Sequence, residues 1–334
     1  MSNPLHPKLA LFEEGDAATV LPVVDHYCGV EARMRKSLEL QAGMGPLFDI
    51  TLDCEDGAPI GGEAEHVALV NELLNSPDNR FGRVGARVHP LAHPAFEADV
   101  DGLIAKSGER LAYLMLPKPQ SAQEVERAVA FIDATLARHG IRKPLPIHTL
   151  VETHGALHEV WQIAAHPRIE SISFGLMDFV SAHRGAIPRS GMSMQGQFTH
   201  PLVVRAKLEI AAAAHAHGKT PSHCVVTEFK HKGAIQDAAT RAAREFGYTR
   251  MWSIHPTQIQ PIIDAFAPST AEIDDAIDIL HAAQAAHWAP IQFRDTLHDR
   301  ASYRYFWQVL ERAHCTGQTL PVEVAQAFFG NSNH

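Results

Sequence analysis

Two carboxylates carry the strongest chemical signal in this 334-residue chain: Glu152, in Leu150-Val-Glu-Thr-His-Gly155, and Asp178, in Ser173-Phe-Gly-Leu-Met-Asp-Phe179. Each ends a short apolar run and stands just before a change of chain direction. In a parallel α/β protein that place is the carboxyl end of a strand, where ligands bind. The two are 26 residues apart, the length of one strand–helix–strand unit. Hard oxygen ligands paired on neighbouring strand ends suit one octahedral Mg²⁺ and leave room for a chelating substrate.

Other reactive groups fall at equivalent places. Thr51-Leu-Asp-Cys-Glu-Asp-Gly57 sets three acids, Asp53, Glu55 and Asp56, at the end of another apolar run. Acids crowded near a metal raise one another's pKa, so a protonated or hydrogen-bonded member is expected; capping a helix or pairing with arginine is the plain structural role. Arg87, in Gly85-Ala-Arg-Val-His-Pro90, can clamp a carboxylate at two points or bridge to Asp53 or Glu55, and the roles are compatible. Lys118, in Leu116-Pro-Lys-Pro119, has the position of a Schiff-base lysine. Set among acids and prolines it keeps its charge and is a poor amine nucleophile, so ion pairing is its expected role. Cys28, Cys54, Cys224 and Cys315 stand far apart without a C-x-x-C pair, which predicts reduced thiols, small and buried for the three near strand ends. The 22 histidines include no H-E-x-x-H and no H-x-H on a strand, and most are expected in surface or structural roles.

These groups need a scaffold, and the chain alternates regularly enough to name one. Apolar runs predict strands at 21–29, 47–53, 83–88, 111–116, 145–151, 170–174, 221–226 and 250–254. Between them the pattern predicts helices at 31–43, 62–75, 95–106, 121–139, 155–165, 200–217 and 234–246, and a short one from 256. Ser121 ahead of Ala-Gln-Glu124 reads as a capping box, and Pro201 and Pro256 sit where a first helical turn begins. Eight such units in unbroken succession point to an α/β fold, a (β/α)₈ TIM barrel over 20–268. Residues 180–199, with Gly, Pro and Ser but no apolar period, predict a long loop after strand six that overhangs the active face. Helices at 270–288, 299–315 and 321–329 exceed what barrel closure needs, so 269–334 is expected to form a C-terminal helical extension or lid. Its Tyr303-Arg-Tyr-Phe-Trp307 and Phe328-Phe329 suit a core or a subunit interface.

Composition removes other classes. A formal net charge of −9 argues against nucleic acid as the main partner, because phosphate binding needs clustered Lys and Arg. No stretch approaches 18 consecutive apolar residues, and Met1-Ser-Asn-Pro-Leu-His-Pro-Lys8 lacks the pattern of a signal peptide. A cytoplasmic protein without a membrane span is the expectation.

Six segments now stand in one order: Leu52-Asp-Cys-Glu-Asp56, Arg87-Val-His-Pro90, Leu116-Pro-Lys118, Val151-Glu-Thr-His-Gly155, Phe174-Gly-Leu-Met-Asp178 and Ile254-His-Pro-Thr-Gln258. From about residue 20 to 315 the chain resembles the HpcH/HpaI aldolase and citrate lyase family, nearest its citrate lyase β-subunit-like branch and the malyl-CoA lyases. The resemblance implies a TIM barrel of the phosphoenolpyruvate/pyruvate-binding type, using Mg²⁺ (or Mn²⁺) to break or form a carbon–carbon bond next to a carbonyl. Glu152 and Asp178 match the metal ligands, and Arg87 matches the arginine that holds the 2-oxo acid. Asp53, Glu55 and Asp56 match acids that orient metal waters and that arginine. Asp299, in Leu297-His-Asp-Arg300, is similar to a lid aspartate that serves a neighbouring subunit's site as acid–base, in a homo-oligomer such as a trimer or hexamer. Departures fall elsewhere: Val23-Val-Asp-His-Tyr-Cys-Gly29 lacks the family's first-strand arginine, His89 replaces Asn, Ser222-His-Cys224 replaces Asp-Gly, and Arg250-Met251 replaces Gly-Lys. The expected reaction is cleavage of a 3-hydroxy-acid thioester to a 2-oxo acid, oxaloacetate- or glyoxylate-like, with a thioester partner that differs from citryl- or malyl-CoA or is not a CoA ester. The rivals are an aldolase using pyruvate or oxaloacetate with free aldehydes, and a complex-dependent or non-catalytic citrate lyase β-like subunit.

Overall fold

A computed structural model describes residues 5–13, 20–228 and 232–330; the first four residues of the N-terminal stretch read above lie outside the described residues. The chain divides into two compact units, Pro22–Ala265 and a second made of Met1–Leu21 with Phe266–His334. In chain order α1 (Pro7–Leu11) comes first, followed by β1 (Val24–Cys28), α2 (Glu31–Met44), β2 (Phe48–Asp53), α3 (Glu63–Asn75), β3 (Val84–Arg87), α4 (Phe96–Ser107) and β4 (Leu114–Leu116). Then come α5 (Ala122–Arg138), β5 (Ile147–Val151), α6 (His154–His158), α7 (Val160–Ala165), β6 (Ile169–Phe174), α8 (Leu176–Ala182), α9 (Pro201–Ala216) and β7 (Thr220–His223). The barrel ends with α10 (Lys232–Arg244), β8 (Arg250–Ser253) and α11 (Pro256–Phe266).

The eight strands form a closed parallel barrel in sequence order, sealed where β8 pairs with β1 through Val24 and Met251. This is the (β/α)₈ barrel that the alternating runs predict. Parallel strands covered by helices are buried on both faces, which is why they read as apolar runs. Helix starts follow local chemistry: the Ser121 hydroxyl accepts from Glu124 N, while the Glu124 carboxylate reaches back to Gln120 N at 2.7 Å instead of closing the box on Ser121. Inside the barrel the period of two decides which side chains meet. Near the strand starts Arg250 pairs with Asp49 at 2.5 Å and with Asp25 at 3.2 Å, all three buried. Such charges are tolerated in an interior because they are paired. Beyond them Met115, Leu150 and Trp252 form an apolar floor against which Tyr27 and Val225 pack. Asp53 and Arg87, direct register partners across β2 and β3, stand at the strand ends.

The second unit holds α1, α12 (Thr270–Ala285), a hairpin of β9 (Ile291–Phe293) and β10 (Thr296–His298), α13 (Arg300–Cys315) and α14 (Val322–Phe329). Its core is built on Leu280, Tyr303, Trp307, Leu310 and Phe328, with Leu11 of α1 among them. The aromatics Tyr303 and Trp307 are therefore core, whereas Tyr305 is exposed. The hairpin was not visible as apolar alternation; it is made by its turn, where Arg294 and Asp295 both have positive φ, as a two-residue hairpin loop requires. Among the described residues no helix is long and apolar enough to cross a membrane.

Candidate active site

Asp53, fully buried, is the hub of the strand ends. Arg87 grips it with both prongs of the guanidinium, Nε to Oδ1 at 2.6 Å and Nη2 to Oδ2 at 2.9 Å. The backbone adds donors, Glu55 N to Oδ1 at 3.0 Å and Gly57 N to Oδ2 at 2.5 Å. Burial alone would raise the Asp53 pKa, but the Arg87 hydrogen bonds and charge outweigh it and hold the carboxyl below its usual range. Arg87 is held charged in the same way: burial works against it, and Asp53, then Tyr27 and Glu55, hold its pKa above the ordinary value.

Glu55 links this pair to the next cation. Its Oε2 lies 3.2 Å from Arg87 Nη2, and its Oε1 accepts from Lys118 Nζ at 2.5 Å. Lys118 also donates to Asp56 at 2.6 Å and stands 4.0 Å from Asp178. Partial burial opposes the lysine's charge, yet hydrogen bonds to Asp56 and Glu55 raise its pKa above the usual lysine value. Lys118 is thus an ion-pairing lysine, as its surroundings in the sequence predict. Its φ of 50° puts a non-glycine residue in the left-handed region, a conformation that costs about 1–2 kcal/mol. That backbone turns Lys118 N toward Glu152 Oε1, which accepts from it at 3.0 Å.

Glu152 follows the last residue of β5 and is 2% exposed. The Lys118 N–H is its only hydrogen-bond donor among the described residues. Burial first, and the charge of Asp178 second, push its pKa up to about 8, with Arg87 and Lys118 offsetting part of this. Gly175 makes the arrangement possible: a Cβ there would collide with the Glu152 carboxylate. Asp178 does not sit at a strand end, as its sequence context implies, because β6 stops at Phe174 and Asp178 rides in the first turn of α8. The helix projects it near Glu152 and leaves its side chain about half exposed.

The arrangement suits a small hard cation. Among the described residues no three His, Cys, Asp or Glu side chains gather as a ready metal cage. Magnesium uses one or two carboxylates and fills its remaining positions with water and substrate. A buried carboxylate with one neutral donor, next to a second carboxylate, is the kind of pair a dication would satisfy.

The structure therefore brings Asp53, Glu55, Asp56, Arg87, Glu152 and Asp178 into one network with Lys118. Asp299 belongs to the other unit, where its Oδ1 accepts from Ala301 N and Ser302 N to cap α13; its Oδ2 has no partner among the described residues. The segment 180–199 is not one loop: α8 covers its start, and 3₁₀ turns form at Arg189–Met192 and Gly196–Phe198. Gln197 in the last of these is buried, accepting from Lys207 Nζ at 2.9 Å and from the Cys224 thiol at 3.3 Å. Cys28, Cys54 and Cys224 are free and buried, as their positions predict. Sequence reasoning missed Tyr27, whose hydroxyl joins Asp53 to Arg87, and Trp252 stacked on it. Their signal was the inward register of β1 and β8, which an aromatic within an apolar run does not distinguish from core.

Comparison with known proteins bears on the family and the fold. The family model for HpcH/HpaI aldolase/citrate lyase matches residues 41–256. A crystal structure of a citrate lyase from Burkholderia xenovorans is 54% identical, covers 97% of this chain and 100% of its own, and superposes with a TM-score of 0.84. The L-malyl-CoA/β-methylmalyl-CoA lyase of Cereibacter sphaeroides is 29% identical over 247 residues, 71% of this chain and 77% of the relative. CitE from Mycobacterium tuberculosis, crystallised with magnesium, acetoacetate and coenzyme A, is 20% identical over 88% of this chain and 99% of its own. At a TM-score of 0.67 it shares the fold.

Proposed function

The chain belongs to the HpcH/HpaI aldolase/citrate lyase family and is a lyase, and we propose that it cleaves a 3-hydroxyacyl-CoA thioester to a 2-oxo acid and an acyl-CoA with the help of Mg²⁺. The observation that carries this reading is the coupled pair of Glu152 and Asp178 beside Arg87 at the mouth of the barrel. The similarity to malyl-CoA lyases supports a CoA ester as the substrate. The altered segments of β1, β7 and β8 leave the choice of acyl group to this chain's own pocket.

In this reading Glu152 and Asp178 would hold the metal. A dication bound there supplies Lewis-acid stabilisation of the negative charge that develops on the substrate oxygens. Arg87 keeps its fork on Asp53, so the two-point substrate clamp expected of it is already occupied by protein. Its Nη1 has no partner among the described residues and is the group offered to the 2-oxo acid carboxylate. Cleavage removes the proton of the 3-hydroxyl and breaks the bond between C2 and C3 of the acyl group. The electron pair passes to the thioester fragment as an enolate, which is then protonated to the acyl-CoA. Asp299 is the acid–base group of this reading, delivered from a second copy of the chain in a homo-oligomer, with its Oδ2 for the proton.

The test is direct. Purified enzyme is given malyl-, citramalyl- and citryl-CoA, and separately free 4-hydroxy-2-oxo acids, with Mg²⁺ or with EDTA, and the released 2-oxo acid is trapped as its phenylhydrazone. Mg²⁺-dependent release from a CoA ester is expected; turnover of the free acids alone would establish the aldolase instead. The near full-length likeness to a citrate lyase favours one second reading, a β-type subunit. That reading predicts activity only after an acyl-carrier partner is added.

A further inference from the structure

Tyr27 ends the inward face of β1 with its phenol inside the Asp53–Arg87 pair. The hydroxyl donates to Asp53 Oδ2 and accepts from Arg87 Nη2 at 2.7 Å, and the ring lies 4.8 Å from the guanidinium carbon. A phenol has one proton to give. With Asp53 receiving it, the oxygen's lone pair is left for Arg87, so the hydroxyl fixes both partners at once. The ring is fixed in turn, stacked on Trp252 at 5.5 Å and 16°, while the indole N–H donates to Ser173 Oγ at 3.0 Å. Gly57 closes the other side: a Cβ there would run into the Tyr27 hydroxyl and the Asp53 carboxylate.

The arrangement has a geometric consequence for the substrate side of Arg87. Nε and Nη2 are spent on Asp53, Tyr27 and Glu55. A fork on one carboxylate still lets the guanidinium tilt about that carboxylate, and a misaimed donor loses much of its value. Tyr27 adds a second hydrogen-bond acceptor to Nη2 from β1, and its ring lies against the guanidinium, so this contact resists the tilt. Resting on the function proposed above, we infer that Tyr27 is a positioning residue that aims the Nη1 edge of Arg87 at the carboxylate of the 2-oxo acid. It does not touch the reacting atoms. It sets how well the acid is held, and leaves the cation site formed by Glu152 and Asp178 as it was.

The test compares full-length wild type with Tyr27→Phe, which keeps the ring and its stack on Trp252. Calorimetry measures pyruvate binding at saturating Mg²⁺, and Mg²⁺ binding alone. Pyruvate is expected to bind about tenfold more weakly to the variant, the loss of one hydrogen bond to a charged group. Mg²⁺ affinity is expected to stay within twofold. KM for the 2-oxo acid in the condensation direction should rise with the dissociation constant, with kcat little changed. In an Arg87→Lys background Tyr27→Phe should add nothing, because its effect runs through the guanidinium. Unchanged pyruvate affinity overturns the inference, as does a parallel loss of Mg²⁺ affinity, which would make Tyr27 a general support of the site. Failure of Tyr27→Phe to fold also overturns it, since the hydroxyl would then be holding the barrel. A wild-type enzyme that binds no 2-oxo acid overturns the proposed function as well, so the two failures are told apart by the wild-type titration.

Discussion

Without a dication at the proposed site this protein should become less stable as the pH rises, and Glu152 should be the cause. Its pKa stands at about 8 against an ordinary 4.5. The folded protein therefore holds a proton there that the unfolded chain has already released. Unfolding between those values gives up a proton, so the unfolding free energy falls as pH increases. The stabilisation is fully present below about pH 4.5 and is lost by the time the pH passes through about 8. The gap between the two values corresponds to about 5 kcal/mol, a large fraction of the stability of an ordinary domain. For a unit the size of Pro22–Ala265 this is a fall in melting temperature of about 10–20 °C across the window. The assay is urea or thermal unfolding in EDTA from pH 5 to 8.5, wild type beside Glu152→Gln. Glutamine can still accept from Lys118 N but carries no charge. The variant should lack most of the slope and exceed wild type in stability at pH 8, and Mg²⁺ should rescue wild type alone. Equal slopes in the two proteins would refute the reasoning, because the loss would then belong to other groups.

Three further outcomes follow from the same geometry. Mg²⁺ binding at pH 7 should release up to one proton, since Glu152 is held largely protonated there; calorimetry in buffers of different ionisation enthalpy measures it, and Glu152→Gln should release none. Gly175→Ala should reduce Mg²⁺ affinity at least tenfold with the barrel's circular dichroism intact, because the added methyl would occupy the space of the Glu152 carboxylate. Borohydride in the presence of pyruvate should trap no adduct on Lys118, whose amine is bonded to Glu55 and Asp56 and held protonated; a mass shift on the peptide containing Lys118 would contradict this.

The barrel was legible because each strand is a short apolar run ended by a turn signal, and that pattern survives without knowledge of partners. Glu152, Arg87 and the acids of the second strand were legible for the same reason: they stand at or just beyond those ends. The expectation for Asp178 named the residue but not its element, because Leu176–Ala182 is too short for a helical period to show. The occupied fork of Arg87 was foreseen only as one of two compatible roles; the register that sets Asp53 opposite Arg87 decides it. Tyr27 was invisible for a different reason. A tyrosine in an apolar run reads as core, and only the convergence of β1, β2 and β3 turns its hydroxyl into a link between two charged groups. The β9–β10 hairpin and the packing of Leu11 into the second unit's core depend on a turn and on a long-range contact, neither of which has a periodic trace.

The cations at the mouth are distributed in a way that bears on catalysis. Arg87 is committed to Asp53 by register and fork, and Lys118 to Glu55 and Asp56 by two short bonds. Neither makes a side-chain bond to Glu152, which receives only a backbone N–H. The second-strand acids thus do more than add negative charge: they keep the two protein cations occupied and leave Glu152 and Asp178 undercompensated. In the proposed reading proton and metal would compete for the same carboxylate, so Mg²⁺ affinity is expected to rise about tenfold per pH unit until Glu152 is ionised near 8. The free energy forfeited at high pH without a metal would be regained on binding, because a dication compensates the buried charge and relieves its repulsion by Asp178, the two causes of the raised pKa. Instability without metal and affinity for it are two readings of one unbalanced pair. A variant that frees Lys118 to neutralise Glu152 would therefore be expected to gain stability and lose the metal together.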